Sequence, residues 1–334
     1  MGDRLGIGIV GYGKVASGAH RRWITSRDTV SLSAVCDTTE VRRNAAVADN
    51  PGVAVYGTYD EFLADPNVEL VIVTTPPNSH RELAVRAAEA RKHVFVDKPF
   101  AMTLAEAVDM LDAADRAGVV IHCHQSRRYD GEYRRIREVV RAGRIGKIVH
   151  VRRVWAQYGE AWASWGIPGF NPTWRVQREF GGGMVYDYAP HCGDQVLQLI
   201  NEPLSQVYAD VRSIKFSKEV DDHFSCTLRF AGGATALVEA SNMERLESPH
   251  WYVVGTTGCI TAQGVNSPIQ ILTDGMDEPE TLQPLDELQD LYDNLIAACT
   301  GETKANVTPT ELKASMGLID AIFASAKSGT AVRV

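Results

Sequence analysis

Short apolar runs recur along the first 124 residues, and most are followed by a stretch with helical spacing. The runs begin at Leu5, Ser31, Val68, His93 and Val119. Short runs rich in β-branched side chains predict buried strands. Strands that alternate with helices predict a doubly wound parallel sheet. The clearest helix is 104–117, which begins after a capping residue, Thr103, and ends at Gly118.

The pattern changes after about residue 125. A helix is predicted over 131–142, and alternating strand patterns follow at 147–157, 206–216, 223–230, 234–241 and 251–256. Strict alternation with glycine-containing turns predicts a large, mostly antiparallel open sheet in a C-terminal α/β domain. We expect a partner subunit to cover the second face of this sheet. Two amphipathic helices, 285–299 and 309–326, end the chain.

A length of 334 residues suggests two domains. We expect a dinucleotide-binding domain at 1–124. A domain for substrate binding and oligomerisation follows at 125–334. The C-terminal helix belongs either to the second domain or to the surface of the first.

Composition and charge exclude several classes of protein. The 45% hydrophobic and 23% charged residues are typical of a soluble globular protein. A net charge of −8 argues against nucleic acids and anionic membranes as partners. Six scattered cysteines without a C-x-x-C pair indicate neither a zinc site nor a disulfide framework, which fits a cytoplasmic protein. No apolar segment is long enough to span a bilayer, and the first apolar run is too short for a signal peptide.

The first predicted strand is followed directly by Gly11-Tyr12-Gly13-Lys14-Val15-Ala16. This is the alanine-ended Rossmann fingerprint, in which the first glycine makes a tight turn and the second lets backbone approach a pyrophosphate. Asp37 ends the second strand, where an acid can bind the ribose and repel a 2′-phosphate. These features predict NAD, although the neighbouring Arg42 and Arg43 leave NADP open. The alternative is a strand–turn–helix without cofactor, with Asp37 as a helix cap.

His93-Val94-Phe95-Val96 is a buried strand that ends in Asp97-Lys98-Pro99. Ligands of open parallel sheets bind at the carboxyl ends of the strands. We therefore expect Lys98 to lie at the catalytic centre. The alternative is a solvated lysine at a strand end.

Four segments together resemble the glucose–fructose oxidoreductase, inositol dehydrogenase and rhizopine-catabolism family, known as Gfo/Idh/MocA. They are the glycine turn with Asp37, Thr75-Pro76-Pro77-Asn78-Ser79-His80, the segment ending in Asp97-Lys98-Pro99, and Gly181-Gly182-Gly183-Met184-Val185-Tyr186-Asp187-Tyr188-Ala189-Pro190-His191. The resemblance implies an N-terminal Rossmann domain and a C-terminal α/β domain with an open sheet. The sequence departs from the usual family motifs at Asp97, where glutamate is usual, and at Ala189, where glycine is usual.

The chemistry that the resemblance implies needs a base, a cation for the developing alkoxide, and a bound nicotinamide. His191 suits the base, because its ordinary pKa lies near neutral pH. Asp187 lies four residues earlier, so a helix that begins near it would place both on one face, with Pro190 in the first turn. Lys98 would polarise the hydroxyl. The alternatives are a packed histidine and an N-cap aspartate.

We expect a wider set of residues around these three. The cofactor set is Gly11, Gly13, Lys14, Val15, Asp37, Thr75, Pro76, Asn78, His80, Asp97, Lys98, Gln125, Trp174 and Arg175. The substrate set is Lys98, Arg127, Tyr129, Tyr158, Trp165, Asp187 and His191. No metal site is expected, since His122 and His124 are interpreted as histidines at the edge of the core without acid partners.

Trp155, Trp162, Trp165 and Trp174 fall in one loop-rich segment with Tyr158 and Phe170. We expect this segment to be irregular and its flat rings to suit the C–H faces of a sugar. A lid or a dimer contact would use the same residues.

The sequence thus predicts a cytoplasmic, NAD(H)-dependent oxidoreductase, a homodimer or homotetramer, with a sugar, glycoside or inositol-like polyol as substrate. It would transfer hydride between nicotinamide and a secondary alcohol or ketone. One alternative is an enzyme with tightly bound NAD that oxidises a sugar transiently for elimination or epimerisation. Another is a non-catalytic regulator that senses dinucleotide.

Overall fold

The computed structural model describes residues 4–159, 167–171, 173–286 and 290–334. The chain divides into two compact units. The first unit contains residues 1–124, 161–181 and 292–312. The second contains residues 125–160, 182–291 and 313–334. Among the described residues, no helix is both long and apolar enough to cross a membrane.

The first unit contains a parallel sheet, as the alternating pattern predicted. Its strands are β1 (Leu5–Val10), β2 (Val30–Cys36), β3 (Ala54–Tyr56), β4 (Leu70–Val73), β5 (His93–Val96) and β6 (Ile121–Cys123), in the order β3-β2-β1-β4-β5-β6. This is the doubly wound Rossmann order, which reverses direction between β1 and β4. The predicted fold class is confirmed for this sheet.

Helices connect these strands. They are α1 (Arg21–Thr25), α2 (Glu40–Asp49), α3 (Tyr59–Ala64), α4 (His80–Glu89) and α5 (Leu104–Ala117). A π-helical turn, Ala16–His20, precedes α1. α5 has the predicted bounds, because Thr103 accepts a hydrogen bond from the backbone N–H of Glu106 and Gly118 takes a left-handed conformation with φ of 67°.

The register of the parallel ladder places the last residues of five strands in one row. Val10 pairs with Cys36 on one side and Val73 on the other. Val73 pairs with Val96, which pairs with Cys123. The residues that follow these five are Asp37, Gly11, Thr74, Asp97 and His124. The glycine turn, Asp37, the loop that begins at Thr74 and the segment with Lys98 therefore leave the sheet at one edge.

The second unit contains a nine-stranded sheet. Its strands, in chain order, are β7 (Ile148–Ala156), β8 (Leu204–Arg212), β9 (His223–Phe230), β10 (Thr235–Ser241), β11 (Trp251–Gly255), β12 (Gly258–Ala262), β13 (Ile269–Thr273), β14 (Glu280–Leu282) and β15 (Val332–Arg333). Their order is β14-β13-β12-β11-β7-β10-β9-β8-β15. All pairs are antiparallel except β7 with β10, which confirms the predicted, mostly antiparallel sheet.

The remaining helices are α6 (Gly131–Arg141), α7 (Met184–Ile200), α8 (Asp290–Cys299) and α9 (Pro309–Ser328). α7 packs against β7, β9 and β10. Along β9 and β11, buried residues alternate with partly or fully exposed ones, so one face of the sheet forms the core.

Three predicted boundaries were wrong for physical reasons. Strand 206–216 ends at Arg212, because the backbone N–H groups of residues 214–216 donate to the carboxylate of Asp222. The last-but-one helix does not begin at Leu285, whose N–H donates to the carbonyl of Gly131 instead. The residue pattern also predicts a helix over 82–91, but α4 ends at Glu89, and Arg91 lies in the left-handed region at φ of 57°.

Candidate active site

The start of α7 depends on a carboxylate that the sequence pattern did not reveal. Asp221 Oδ2 accepts the N–H of Val185 at 2.7 Å, and the Asp221 carbonyl accepts the N–H of Met184 at 3.1 Å. Gly183 precedes the helix with φ of 111°, and a Cβ there would lie 2.3 Å from Asp221 Oδ1. The glycine is therefore needed so that Asp221 can hold the first turn.

This helix start corrects two expectations. Because α7 begins at Met184, Pro190 lies in the helix interior and not in the first turn. Its ring removes the N–H that would have bonded the carbonyl of Tyr186. Asp187 is not the N-cap either, since Gly183 holds that position. Asp187 and His191 lie one turn apart on α7 and are both half-buried.

A polar cavity of about 250 Å³ in the second unit includes His191. Its lining residues are Ser126, Arg127, Tyr129, Asp130, His191 and Asn266. Arg127 and Tyr129 come from the turn after β6, and Asn266 comes from the turn between β12 and β13. Hydroxyl, amide and guanidinium groups on one cavity can each bond a sugar hydroxyl. The structure thus brings three of the predicted substrate residues together.

A buried ion pair holds the cavity loop against α7. Arg128 donates to both carboxylate oxygens of Asp194, at 2.7 and 2.6 Å, and both side chains are almost completely buried. Gln195 Nε2 also donates to the carbonyl of Arg127 at 2.6 Å. A buried bidentate pair fixes geometry well, because neither charge can be left alone in the interior. Arg127 and His191 are therefore carried on one rigid assembly.

Two groups near Arg127 have displaced pKa values. Burial raises the pKa of Asp130 to about 6, with Glu132 adding to the shift and Arg127 opposing it at 3.2 Å. Burial, with Arg153 and Arg127, lowers the pKa of His250 to about 4. Asp130 is thus able to exchange a proton close to neutral pH in the cavity that His191 also lines.

Aromatic rings support the same region. The Arg127 guanidinium lies 4.7 Å from the centre of the Trp155 ring, which contacts Tyr188 at 5.1 Å. Trp155 belongs to strand β7, so the expectation of an irregular segment was wrong for this residue. Tyr158 lies elsewhere, with Lys215 and Arg245 donating to its hydroxyl.

In the first unit, the glycine turn is hydrogen-bonded to the carboxylate of Asp37. Gly11 has φ of 86°, and a Cβ there would lie 2.8 Å from Thr75 Cγ2. The Asp37 carboxylate accepts from the backbone N–H of Tyr12 at 2.8 Å, and from the N–H and hydroxyl of Thr39 at 2.9 and 2.8 Å. Its oxygens therefore already anchor the protein loops, a role that the ribose prediction did not include. Such a turn leaves room for a dinucleotide pyrophosphate at the helix start.

His80 braces two loops of the same edge. Nε2 lies 2.8 Å from the carbonyl of Thr75, and Nδ1 lies 2.9 Å from the carbonyl of Pro99. Burial lowers the pKa of His80 against the opposing effect of these carbonyls. A neutral imidazole donates only one N–H, so one carbonyl receives no proton from the ring. His80 is thus more than a helix-start residue, because it joins the loops after β4 and β5.

Lys98 is half-buried at the end of β5, next to Asp97. Asp97 Oδ1 lies 2.8 Å from Nδ1 of His124. The interpretation that His122 and His124 lack acid partners was therefore wrong for His124. His122 is fully buried and its Nε2 contacts Asn306 Oδ1 at 3.1 Å.

The other predicted site residues have diverse settings. Lys14 and Asn78 are exposed, Val15 and Pro76 are partly buried, and Gln125 is buried. Trp174 and Arg175 share one 3₁₀ turn, in which the guanidinium lies 4.3 Å from the ring centre. Trp162 and Trp165 lie outside the described residues.

Several site residues were missed by sequence reasoning. They are Asp130, Asn266, Asp194 and Asp221. Asn266, Asp194 and Asp221 each act through a partner far along the chain, 66 residues away for Asp194, whereas Asp130 pairs with Arg127, three residues away. The doubled acid of Asp221 and Asp222 before a predicted strand was the one local signal.

Asp221 generates a prediction about stability and pH. Burial raises its pKa to about 6, so the folded state holds a proton that the unfolded chain has lost. This contribution to the free energy of unfolding is complete below about pH 4 and is lost as the pH rises through about 6. Asp221→Asn stays neutral, so we expect its stability relative to the wild type to rise by roughly 3 kcal/mol from about pH 4 to 8. Urea unfolding measures this difference.

The control is Asp210→Asn, which removes an exposed acid paired with Arg212. The difference between its free energy of unfolding and that of the wild type should stay nearly constant over the same pH range. A constant difference for Asp221→Asn as well would contradict the raised pKa.

Comparisons with known proteins agree with the fold and the glycine turn. Residues 5–125 match the family described as "Oxidoreductase family, NAD-binding Rossmann fold", and residues 133–261 match "GFO/IDH/MocA C-terminal domain". The chain is 30% identical to 1,5-anhydro-D-fructose reductase of Ensifer adhaerens over 302 residues, which covers 87% of this chain and 86% of that protein. It is 26% identical to scyllo-inositol 2-dehydrogenase (NADP(+)) of Bacillus subtilis, over 99% of this chain and 89% of that one.

A solved structure gives the same result. An NAD-binding protein from Listeria innocua superposes with a TM-score of 0.87 at 30% identity, and the match covers 99% of this chain and 97% of that chain. Together with the two family matches, this similarity confirms the resemblance that the motifs indicated. The chain belongs to the GFO/IDH/MocA family of oxidoreductases and has an NAD-binding Rossmann domain.

Proposed function

We propose that this protein is an NAD(H)-dependent dehydrogenase that acts on a secondary alcohol or ketone of a sugar, glycoside or cyclic polyol. The polar cavity that includes His191 is the observation that carries the proposal. Relatives named for an anhydro-sugar and an inositol support this class of substrate. Lys98 at the carboxyl edge of the parallel sheet supports it as well.

In the proposed mechanism, the glycine turn and Asp37 would hold a nicotinamide dinucleotide, which would supply the hydride chemistry when bound. His191 accepts the hydroxyl proton during oxidation and donates it during reduction. Lys98 donates a hydrogen bond to the same oxygen and stabilises its negative charge. Asp187, one helical turn before His191, orients the imidazole.

Removal of either reacting group should abolish most turnover. We expect Lys98→Met and His191→Asn each to lower kcat by about 10²- to 10⁴-fold, because one proton-transfer or charge-stabilising group is lost. The assay follows NADH absorbance with a panel of inositols, aldoses and 1,5-anhydro sugars. Lys92→Met, at the other end of β5, and His223→Asn, on β9, are the matched controls.

Near-normal kcat in both Lys98→Met and His191→Asn would contradict the mechanism. A lack of any turnover in the wild type across the whole panel would contradict the substrate class.

We propose NAD as the preferred cofactor. Asp37 is buried and fixed by three hydrogen bonds, so its charge cannot turn away from a 2′-phosphate. Arg42, a cation that could receive that phosphate, lies 3.8 Å from Asp37 and also donates to the carbonyls of Ile167 and Pro168. The B. subtilis relative is named for NADP(+), so the two chains would differ here.

The isosteric change Asp37→Asn removes the charge, and its single amide oxygen can accept from the N–H of either Tyr12 or Thr39 but not from both. We expect it to shift the ratio of kcat/KM for NAD over NADP toward NADP by about tenfold or more. Asp49→Asn removes an exposed charge bonded to the Tyr12 hydroxyl and serves as the control. A wild type that already prefers NADP would contradict the assignment.

We also propose a homodimer or homotetramer in the cytoplasm, where the six free thiols stay reduced. The exposed sheet face carries a continuous row: Gln270, Thr261, Tyr252, Arg152, Leu237, Thr227 and Tyr208. Tyr208 and Tyr252 are 51% and 38% exposed on it. Cell fractionation tests the compartment.

Substitution of both tyrosines should release monomers. We expect Tyr208→Lys with Tyr252→Lys to reduce the mass measured by light scattering to that of one chain, because two buried charges would oppose the interface. Leu246→Lys, at an exposed apolar side chain off the sheet, should leave the mass unchanged. A monomeric wild type would contradict the proposal.

A further inference from the structure

A chain of hydrogen bonds in the first unit begins at Asp97, the residue that precedes Lys98. Asp97 Oδ1 lies 2.8 Å from His124 Nδ1. His124 Nε2 lies 3.5 Å from the Tyr292 hydroxyl, which lies 3.0 Å from His20 Nδ1. His20 is fully buried, while Asp97 and His124 keep 15% and 12% of their side chains exposed. Four titratable side chains thus form one line that ends beside the proposed catalytic lysine.

The donors and acceptors in this line determine which atom donates in each hydrogen bond. An ionised Asp97 can only accept, so His124 donates its Nδ1–H, and the neutral form of the ring then presents a lone pair at Nε2. The Tyr292 hydroxyl then donates to His124 and accepts the Nδ1–H of His20. This order leaves only His20 Nε2 as a lone pair, and that atom is buried without a hydrogen-bond partner among the residues that the structure describes. A buried lone pair without a donor costs less free energy than a buried N–H group without an acceptor.

Aromatic packing keeps the rings in place. The Tyr292 ring stacks on Trp23 with centres 4.4 Å apart and planes at 15°. Phe95 contacts the rings of His20, His124 and Tyr292 at 5.6 to 5.8 Å between centres. Rings held on several sides have few rotamers available. The hydrogen-bonding atoms therefore have little freedom to separate.

The line joins elements that are far apart in sequence. His20 closes the π-helical turn that follows the glycine fingerprint. Asp97 and His124 follow β5 and β6 directly, and Tyr292 belongs to α8. The helix that begins at the glycine turn is thereby connected to the strand that ends in Lys98.

The charge of Asp97 depends on its neighbours. Burial alone would raise the pKa of Asp97, but the hydrogen bond from His124 and the positive charge of Lys98 oppose this effect, and the pKa lies below its ordinary value. Burial, with His124 adding to the effect, lowers the pKa of His20 to about 3, so His20 is neutral. The titratable groups that face Asp97 are His20, His80, His124, Lys98 and Tyr292.

The same side chains have the composition of a metal site, since ligand atoms of His20, Asp97 and His124 lie within 4.8 Å of one another. The direct contact between Asp97 and His124 argues for a proton between them. At 2.8 Å the two atoms are at hydrogen-bond distance, and a shared metal ion would have to replace that proton. The geometry therefore favours a proton-ordered network.

We propose that His124 is a positioning residue for Lys98: by donating to Asp97, it keeps that carboxylate ionised as the fixed anionic neighbour of the catalytic ammonium. The inference rests on the proposed dehydrogenase function. Tyr292 and His20 act by holding His124 in the tautomer that donates to Asp97. The consequence is that loss of the His124 donor changes turnover and its pH dependence without changing cofactor binding.

The test compares His124→Leu with His124→Gln, whose side-chain amide can still donate to Asp97. We expect His124→Leu to lower kcat by about tenfold or more, because one charge-assisted hydrogen bond is lost. KM for NAD should change by less than about twofold. The acidic limb of kcat/KM should move up by about one pH unit or more, because an unsupported, buried Asp97 is protonated at higher pH.

His124→Gln should restore most of kcat and return the acidic limb toward the wild-type position. His93→Leu is the matched control, since it removes another histidine hydrogen bond, to the N–H of Val120, at the opposite end of β5. It should leave kcat and the pH profile unchanged. Unchanged kcat and pH profile in His124→Leu, together with loss of activity in Lys98→Met, would overturn the inference while the dehydrogenase function stands.

Two measurements on the wild type do not need turnover. Nitrogen-15 NMR of labelled histidine, assigned through His124→Gln, should show His124 with Nδ1 protonated and Nε2 unprotonated. The opposite tautomer would overturn the inference even if no substrate were ever found. Stoichiometric zinc in the purified protein, measured by plasma mass spectrometry, would overturn it as well. If His124→Leu fails to fold, Tyr292→Phe provides a second test. Loss of the Tyr292 hydroxyl should change the proportions of the two His124 tautomers in the NMR spectrum.

Discussion

The register of the parallel sheet is the constraint on which the first unit depends. Five strand ends lie in one row, so the loops after them start at the same height. Short side chains can therefore reach from loop to loop, as Thr74 does when its hydroxyl donates to the carbonyl of Gly11 at 2.6 Å. A slip of one residue in any strand would turn its side chains to the opposite face and separate these contacts. The glycine turn, Asp37 and Lys98 share this edge for that reason.

In the second unit, buried carboxylates fix the start of α7 and the loop that lines the cavity. A helix cannot begin inside a protein unless its first N–H groups find acceptors. Asp221 supplies one of them, and the ion pair of Arg128 and Asp194 then fixes the cavity loop to the same helix. His191 is carried between these two supports. The position of His191 in the fold thus depends on Asp221 and Asp194, two carboxylates that take no part in the proposed reaction.

Local patterns could predict much of this fold. β1, β5, β9 and α5 have their predicted bounds, because a strand rich in β-branched residues or a well-capped helix is determined by its own residues. The short strand β3 and the helices α2 and α3 were not predicted, since they are short and rich in polar residues. The end of β8 depends on Asp222, a contact that no local pattern contains. A boundary that depends on a distant side chain cannot be predicted from the residues of one segment.

The same distinction applies to the candidate site. Lys98, Asp187 and His191 could be selected because each follows or occupies a recognisable element. Asp130 and Asn266 could not, because only folding brings the loop after β6 and the turn after β12 to one cavity. The acid partner of His124 was missed although Asp97 had been singled out, because a sequence does not show that β5 and β6 are neighbours in register.

The first unit is assembled from three separate pieces of chain, and this affects its biosynthesis. Tyr292 stacks on Trp23 of α1, and Asn306 contacts the buried His122. On the ribosome, the glycine turn emerges long before either of these partners. The nascent chain must therefore carry an incompletely packed dinucleotide-binding helix until most of the protein has been translated. A polypeptide that terminates before residue 292 leaves this apolar surface exposed to chaperones and proteases.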